Sequence, residues 1–198
     1  MSQVQIDPES RCRVPLPRRE NLDAEGQKIF DYFTSGTKGI LRGLHGAAGL
    51  LLHDPKLAEV YQPLLRYVRF GAGLSETIRE VCILATAREY NNAFEWAAHE
   101  PEALRVGVPE EVIKSIKFRE PTATIEAPFG AIIEIIREAF TERSVSAATY
   151  DAAVSLLGVP LLVDLITLAG AYAGGAALLT VFDMQLDPGE THLLPSLG

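Results

Sequence analysis

Three residues in the middle of the chain have the types and spacing for acid–base chemistry: Glu80, Glu95 and His99. On one continuous helix, Glu80 and His99 would stand about 28 Å apart at ~1.5 Å per residue and could share no site. The Asn91-Asn92 pair changes that, because it interrupts the helical pattern between "LSETIREVCILATAREY" and "AFEWAAHEPEALRVG". In a hairpin of those two helices, His99 comes opposite position 84 or so, and Glu80 lies about one turn, roughly 6 Å, further along. Glu95 and His99 are four residues apart and share a face. Two carboxylates and an imidazole then converge between antiparallel helices, where burial shifts pKa values toward neutrality and suits them to proton transfer. Ordinary structural roles account for the same residues. Asn92 is a good N-cap with Glu95 three positions on, as in a capping box. Glu80 could pair with a neighbouring arginine on a solvated face, His99 could be a hydrogen-bonded core histidine, and Trp96 most often means packing. A metal site built from Glu80, Glu95 and His99 is a further reading, weakened because a single histidine is placed for it.

The elements that must position these residues read as helices throughout. "NLDAEGQKIFDYFTSG" carries Leu22, Ile29, Phe30 and Phe33 on one side. "TKGILRGLHGAAGLLLH" is apolar but holds four glycines, so a weak or broken helix is expected. "HDPKLAEVYQPLLRYVRFG" has Asp54 as N-cap, Pro55 at its first position, Gly71 past its end and Pro63 to kink it. Ser75 caps the first helix of the hairpin, and Gly107 stops the second. "PEEVIKSIK", "FGAIIEIIREAFTE" and "SAATYDAAVSLLG" follow, the last running from the Ser146 cap to Gly158, and a long apolar helix ends near Asp183. No stretch sustains the alternation of a strand. The fold predicted is all-α, a single-domain bundle of about eight helices with the C-terminal helix buried at its centre. Residues 1–21 read as an extended arm, 22–186 as the domain and 187–198 as an irregular tail.

Composition excludes several classes. The 198 residues suffice for one domain with a substantial core. A net charge of −8 argues against nucleic acid, which requires a basic patch. "MSQVQIDPES" has no apolar leader, and two cysteines form neither a disulfide framework nor a metal motif, so the expectation is cytoplasmic. Cys82 lies in the run "EVCILATA" and reads as a buried thiol. Residues 160–182 are long enough to span a bilayer, with Gly170 and Gly174 in a GxxxG pair. Asp164 would then lie in hydrocarbon and no basic flank follows, so a buried helix packed by its own domain and by neighbouring subunits explains the segment better, and no membrane is expected.

The stretch "RFGAGLSETIREVCILATAREYNNAFEWAAHEPEALRVGVPEEVI" (69–113) resembles the carboxymuconolactone decarboxylase superfamily, which includes the alkylhydroperoxidase D-like proteins. The likeness lies in an early glutamate, a helix of small and apolar residues, E-W-x-x-H, and a Gly-hydrophobic-Pro-Glu-Glu segment. "LLHDPKLAEVYQPL" resembles the helix before that core, and "LVDLITLAGAYAGGAALLTVF" the late helix of the longer branch. The resemblance implies an alkylhydroperoxidase D-like helical fold, assembly into trimers or hexamers, and no cofactor. The family's relay glutamate falls on Glu80 and its histidine on His99. The two reactive cysteines of the peroxidase branch would fall on Asn92 and Glu95, so no thiolate stands there to reduce a peroxide. Glu95 resembles the cysteine-free, decarboxylase-like branch, and Phe94 stands where many relatives have tyrosine.

The function expected from this resemblance is a cofactor-free lyase acting on a small carboxylated lactone or related unsaturated ring compound. His99 would donate the proton, with Glu95 and Glu80 orienting it and setting its protonation. Arg69 or Arg88 would anchor the substrate carboxylate, and His45, Trp96 and Tyr172 would wall the pocket. The same apparatus would serve an isomerase or a lactone hydrolase. A non-catalytic binding or assembly protein is the alternative from another class. The discriminating observation is whether Glu80, Glu95 and His99 meet at a pocket or merely in a packed hairpin.

Overall fold

The computed structural model describes residues 5–35, 43–191 and 193–195, among which there are eight α-helices and no strand. They are α1 (Ala24–Thr34), α2 (Ala47–Leu51), α3 (Pro55–Arg66), α4 (Glu76–Glu89), α5 (Ala93–Arg105), α6 (Glu110–Phe118), α7 (Phe129–Arg137) and α8 (Ala147–Val181). Asp23, Asp54, Ser75, Asn92 and Ser146 head α1, α3, α4, α5 and α8, each accepting the backbone N–H three residues on. Each cap satisfies one of the N–H groups a helix start leaves without an intrahelical partner. Pro63 lies inside α3, where it removes a ladder N–H. The helix then runs to Arg66 and widens into a π turn over Tyr67–Gly71. Of the glycine-rich stretch before α3, residues 37–42 lie outside the described residues, and the described remainder forms the five-residue α2.

The central helix is α4, not the C-terminal helix that hydrophobicity suggests. It packs against α5, α6, α7 and α8, and all ten residues from Arg79 to Arg88 are buried. Three of its polar groups are met internally: Arg79 by Glu80, Thr86 by the Cys82 carbonyl, and Arg88 by the Pro195 carbonyl. That provision lets a helix with two buried arginines occupy the core. The main core joins Val81, Ile83 and Leu84 of α4 to Ile133 and Ile136 of α7 and Leu165 and Leu168 of α8.

α8 is less enclosed than its sequence suggests. It breaks at Gly158, whose φ of 72° and ψ of 159° are not helical, and resumes through Pro160. One face, with Leu162, Leu165, Leu168 and Tyr172, is buried. Val159, Val163 and Val181 on the other are more than half exposed. The helix is long and apolar enough to cross a membrane by length and composition, and 28% of its most apolar stretch is buried within the chain.

The N-terminal arm is not simply extended. The Asp7 carboxylate accepts the Glu9 and Ser10 N–H groups, and Arg11 takes a left-handed φ of 61°. The arm then packs on the end of α8: Arg13 N–H donates to the Phe182 carbonyl, Gln185 N–H donates to the Arg11 carbonyl, and Cys12 is buried beside Leu50, Phe94 and Leu179. The described tail has no helix, yet Leu194 is buried in the main core.

Candidate active site

The turn between α4 and α5 fixes where the acid–base residues point. Asn91 takes a left-handed conformation (φ 49°), which asparagine tolerates better than most residues. Asn92 then caps α5, its Oδ1 accepting the Glu95 N–H at 2.9 Å. Its Nδ2 donates to the Ala176 carbonyl of α8 at 3.3 Å, which pins the start of α5 to a second helix. The Asn92 backbone N–H goes to the Ala87 carbonyl at 2.8 Å, so the capping box is not closed by Glu95. The Glu95 carboxylate stands instead 3.6 Å from His99 Nε2, one turn along α5.

Glu80 and His99 meet across the hairpin. Glu80 Oε2 lies 2.7 Å from His99 Nδ1, and Arg79 Nε donates to Glu80 Oε1 at 3.0 Å. Glu80 thus pairs with a neighbouring arginine, but in the core and not on a solvated face, since Glu80, Arg79 and His99 are all buried. Burial pushes the Glu80 carboxyl up; the His99 hydrogen bond and charge, joined by those of Arg79, outweigh it, and the net direction is down. An ionised Glu80 accepts the Nδ1 proton and leaves Nε2, beside Glu95, as the outer edge of the ring.

That edge faces a cavity of about 130 Å³ whose lining includes Arg69, Phe94, Glu95, His99, Tyr172 and His45. An apolar cavity of ~150 Å³ holds benzene, so the space suits a ligand built on a single ring. Arg69 comes from the π turn after α3, a local widening that often marks functional positions. Its guanidinium lies 4.9 Å from the Phe70 ring and 6.0 Å from the Tyr172 ring. Tyr172 meets the His99 ring edge-on at 5.2 Å, and burial pushes its phenol well above the usual range. Burial, helped by the Glu95 charge, also raises Tyr61, whose hydroxyl donates to the Ala171 carbonyl at 3.0 Å. Gly46 closes one wall: its φ is 101°, and a Cβ there would lie 2.8 Å from Phe94 Cε1, so no other residue fits without moving the ring.

Comparison with protein-family models, with curated proteins and with solved structures finds no match.

Two expected pocket residues lie elsewhere. Arg88 is buried at the far end of α4, where Nη1 donates to the Asn91 side chain and the Pro195 carbonyl, tying down the tail. Trp96 is fully buried in the main core with Lys117 5.7 Å above its ring. Successive helix positions are about 100° apart, so the residue after Glu95 turns away from the cavity. Glu80 does not line the cavity and reaches it through His99. The residue that sequence reasoning missed is Arg79. Its signal was a charged side chain beside Glu80 in a helix otherwise rich in small and apolar residues.

The arrangement disfavours a metal centre built from this trio. Glu80 and Glu95 contact opposite ring nitrogens of His99, so an ion on either nitrogen would meet one of the two carboxylates. Cys82 offers no nucleophile, because burial pushes its thiol up to about 12.

Proposed function

We propose that the protein is a cofactor-independent lyase of the carboxymuconolactone decarboxylase type, on an alkylhydroperoxidase D-like scaffold, acting on a small carboxylated lactone or related unsaturated ring compound. The observation that carries the reading is a buried Glu80–His99 pair whose outer nitrogen faces Glu95 at the wall of a ring-sized cavity. Replacing buried ion pairs with apolar residues is often neutral or stabilising, so such a group at a cavity is better explained by chemistry than by stability. The ring compound would lie between Arg69, which anchors its carboxylate end, and His99. The carbon–carboxylate bond breaks, CO2 leaves, and the electron pair passes into the conjugated carbonyl as an enolate. The Nε2 proton of imidazolium His99 goes to carbon, neutral His99 keeps its Nδ1 proton on Glu80, and solvent returns the proton lost. The protein would work in the cytoplasm as a homo-oligomer, a trimer or hexamer, with the exposed valines of α8 covered by neighbouring subunits.

Purified protein incubated with carboxylated five- and six-membered lactones in D2O tests the reading. The expected result is CO2 release with one deuterium placed on the product carbon, both abolished in His99→Ala. Deuterium exchange without CO2 would instead identify an isomerase on the same site. Ring opening with neither would identify a lactone hydrolase, and saturable binding with the lactone left intact would make this a binding protein and overturn the enzyme reading.

A further inference from the structure

Arg79 touches both halves of the site without lining the cavity. Its Nε donates to Glu80 Oε1 at 3.0 Å, its Nη1 to the Arg69 carbonyl in the π turn at 3.4 Å, and its guanidinium lies 5.2 Å from the Phe70 ring. The side chain is 6% exposed, so its charge is little screened by water. The groups facing His99 make that charge necessary. Glu80 of α4 touches Nδ1, and Glu95 of its own helix stands beside Nε2. Glu102, also on α5, lies within electrostatic reach. Tyr172 of α8 presents a neutral phenol at the ring. Arg69 and His45 line the same cavity from the π turn and from the loop before α2. An imidazole between two carboxylates in a site shielded from water would hold its proton tightly. A proton donor must also let its proton go.

We propose that Arg79 is a positioning residue that offsets the Glu80 charge, so that the cavity-facing Nε2 of His99 can release and recover a proton during turnover, while the same guanidinium holds the Arg69-bearing turn in register with the pair. The inference rests on the acid–base reading of the site, but its test does not require a substrate. Protein labelled with ¹⁵N-histidine, with His99 assigned through His99→Asn, reports the protonation of each ring nitrogen as pH is varied. Arg79 is a like charge to imidazolium His99 and neutralises its partner Glu80; a neighbouring charge in a buried site shifts a titration by roughly 1–3 pH units. Arg79→Gln should therefore raise the pH at which Nε2 takes up its proton by about that amount, roughly 10- to 1000-fold in proton affinity. Arg79→Lys, which keeps the charge, should move it less. Glu80→Gln, an isostere that needs no counter-charge, should move it the other way and gives a second reading should Arg79→Gln not fold. A midpoint unchanged or lowered in Arg79→Gln, or unchanged in Glu80→Gln, overturns the inference. A wild-type protein that releases no CO2 from any lactone yet shows both shifts defeats the lyase reading and leaves the role of Arg79 standing.

Discussion

The α4–α5 hairpin and α8 invert the usual partition of side chains in opposite directions. The hairpin takes Arg79, Glu80 and His99 out of water, whereas α8 leaves Val159, Val163 and Val181 in it. Lysine, glutamate, arginine and aspartate are almost never fully buried unless paired, and large exposed apolar patches mark contact sites, so both departures carry information. The buried groups are joined by hydrogen bonds into a chain that ends at a cavity, which is what a reaction needs. Among the described residues nothing covers the exposed apolar face, which is what an assembly needs. On the proposed reading one inversion serves chemistry and the other a partner, and they can be broken separately.

The largest effect is expected on turnover. His99→Ala should lower kcat by about 10²- to 10⁴-fold, and Glu95→Gln should lower it while leaving the melting temperature nearly unchanged, because the cap bond uses the Glu95 backbone and not its side chain. The two losses should fall short of additive in the double variant. Full activity in both single variants would return the hairpin to ordinary packing. Next in size is Glu80→Ala, which strands buried Arg79 and His99 and should cost about 3–5 kcal/mol by urea unfolding. On the other side of the comparison, Val163→Lys should leave the fold of each subunit intact, since exposed substitutions are usually within ~0.5 kcal/mol, yet reduce the molar mass seen by light scattering. An unchanged mass would mean that the exposed face of α8 is not an interface.

A smaller effect follows from pH. The folded Glu80 carboxyl lies below its ordinary value of 4.5, so its contribution is fully present above that value and is lost as pH falls through the folded value. Stability should therefore decline in acid below about 4.5, and Glu80→Gln should flatten that part of the profile; identical acid limbs would remove Glu80 as the group responsible. The smallest expected effect is none. Cys82, buried and hydrogen-bonded toward the Leu165 carbonyl, should resist iodoacetamide in the native state, and Cys82→Ser should leave any slow peroxide consumption unchanged.

Much of the hairpin is legible from the chain alone. Ser75, Asn92 and Ser146 cap the helices that the periodicity assigns to them, and the Asn91-Asn92 break brings residues nineteen positions apart into hydrogen-bond contact. Which helix lies at the centre was not legible. Arg79, Glu80 and Arg88 make α4 look half-solvated, because a pattern of residue types does not show that each charge will find a partner. α8 looks fully buried for the converse reason, since hydrophobicity does not say what covers it. Trp96 and Arg88, expected at the cavity, do not reach it: helix phase turns Trp96 away from the face of Glu95, and Arg88 lies at the far end of α4 against the tail. The π turn that brings Arg69 to the cavity has no sequence signature beyond Pro63 four residues before it.

The two-residue turn at Asn91-Asn92 also bears on how the sequence can drift. Surface turns are where chains ordinarily absorb insertions and deletions. Here the side chain of Asn92 fastens the head of α5 to Ala176, and the left-handed Asn91 leaves no slack before it. An added residue would have to enter α5 itself, turning everything beyond it by about 100° and advancing it by ~1.5 Å. His99 would then swing off Glu80 toward the side where Trp96 now packs. A lineage descending from this sequence can lengthen the loop between α6 and α7 without touching the pair, but the nineteen-residue interval from Glu80 to His99 is a fixed ruler. Length variation, more than substitution, is the change this hairpin resists.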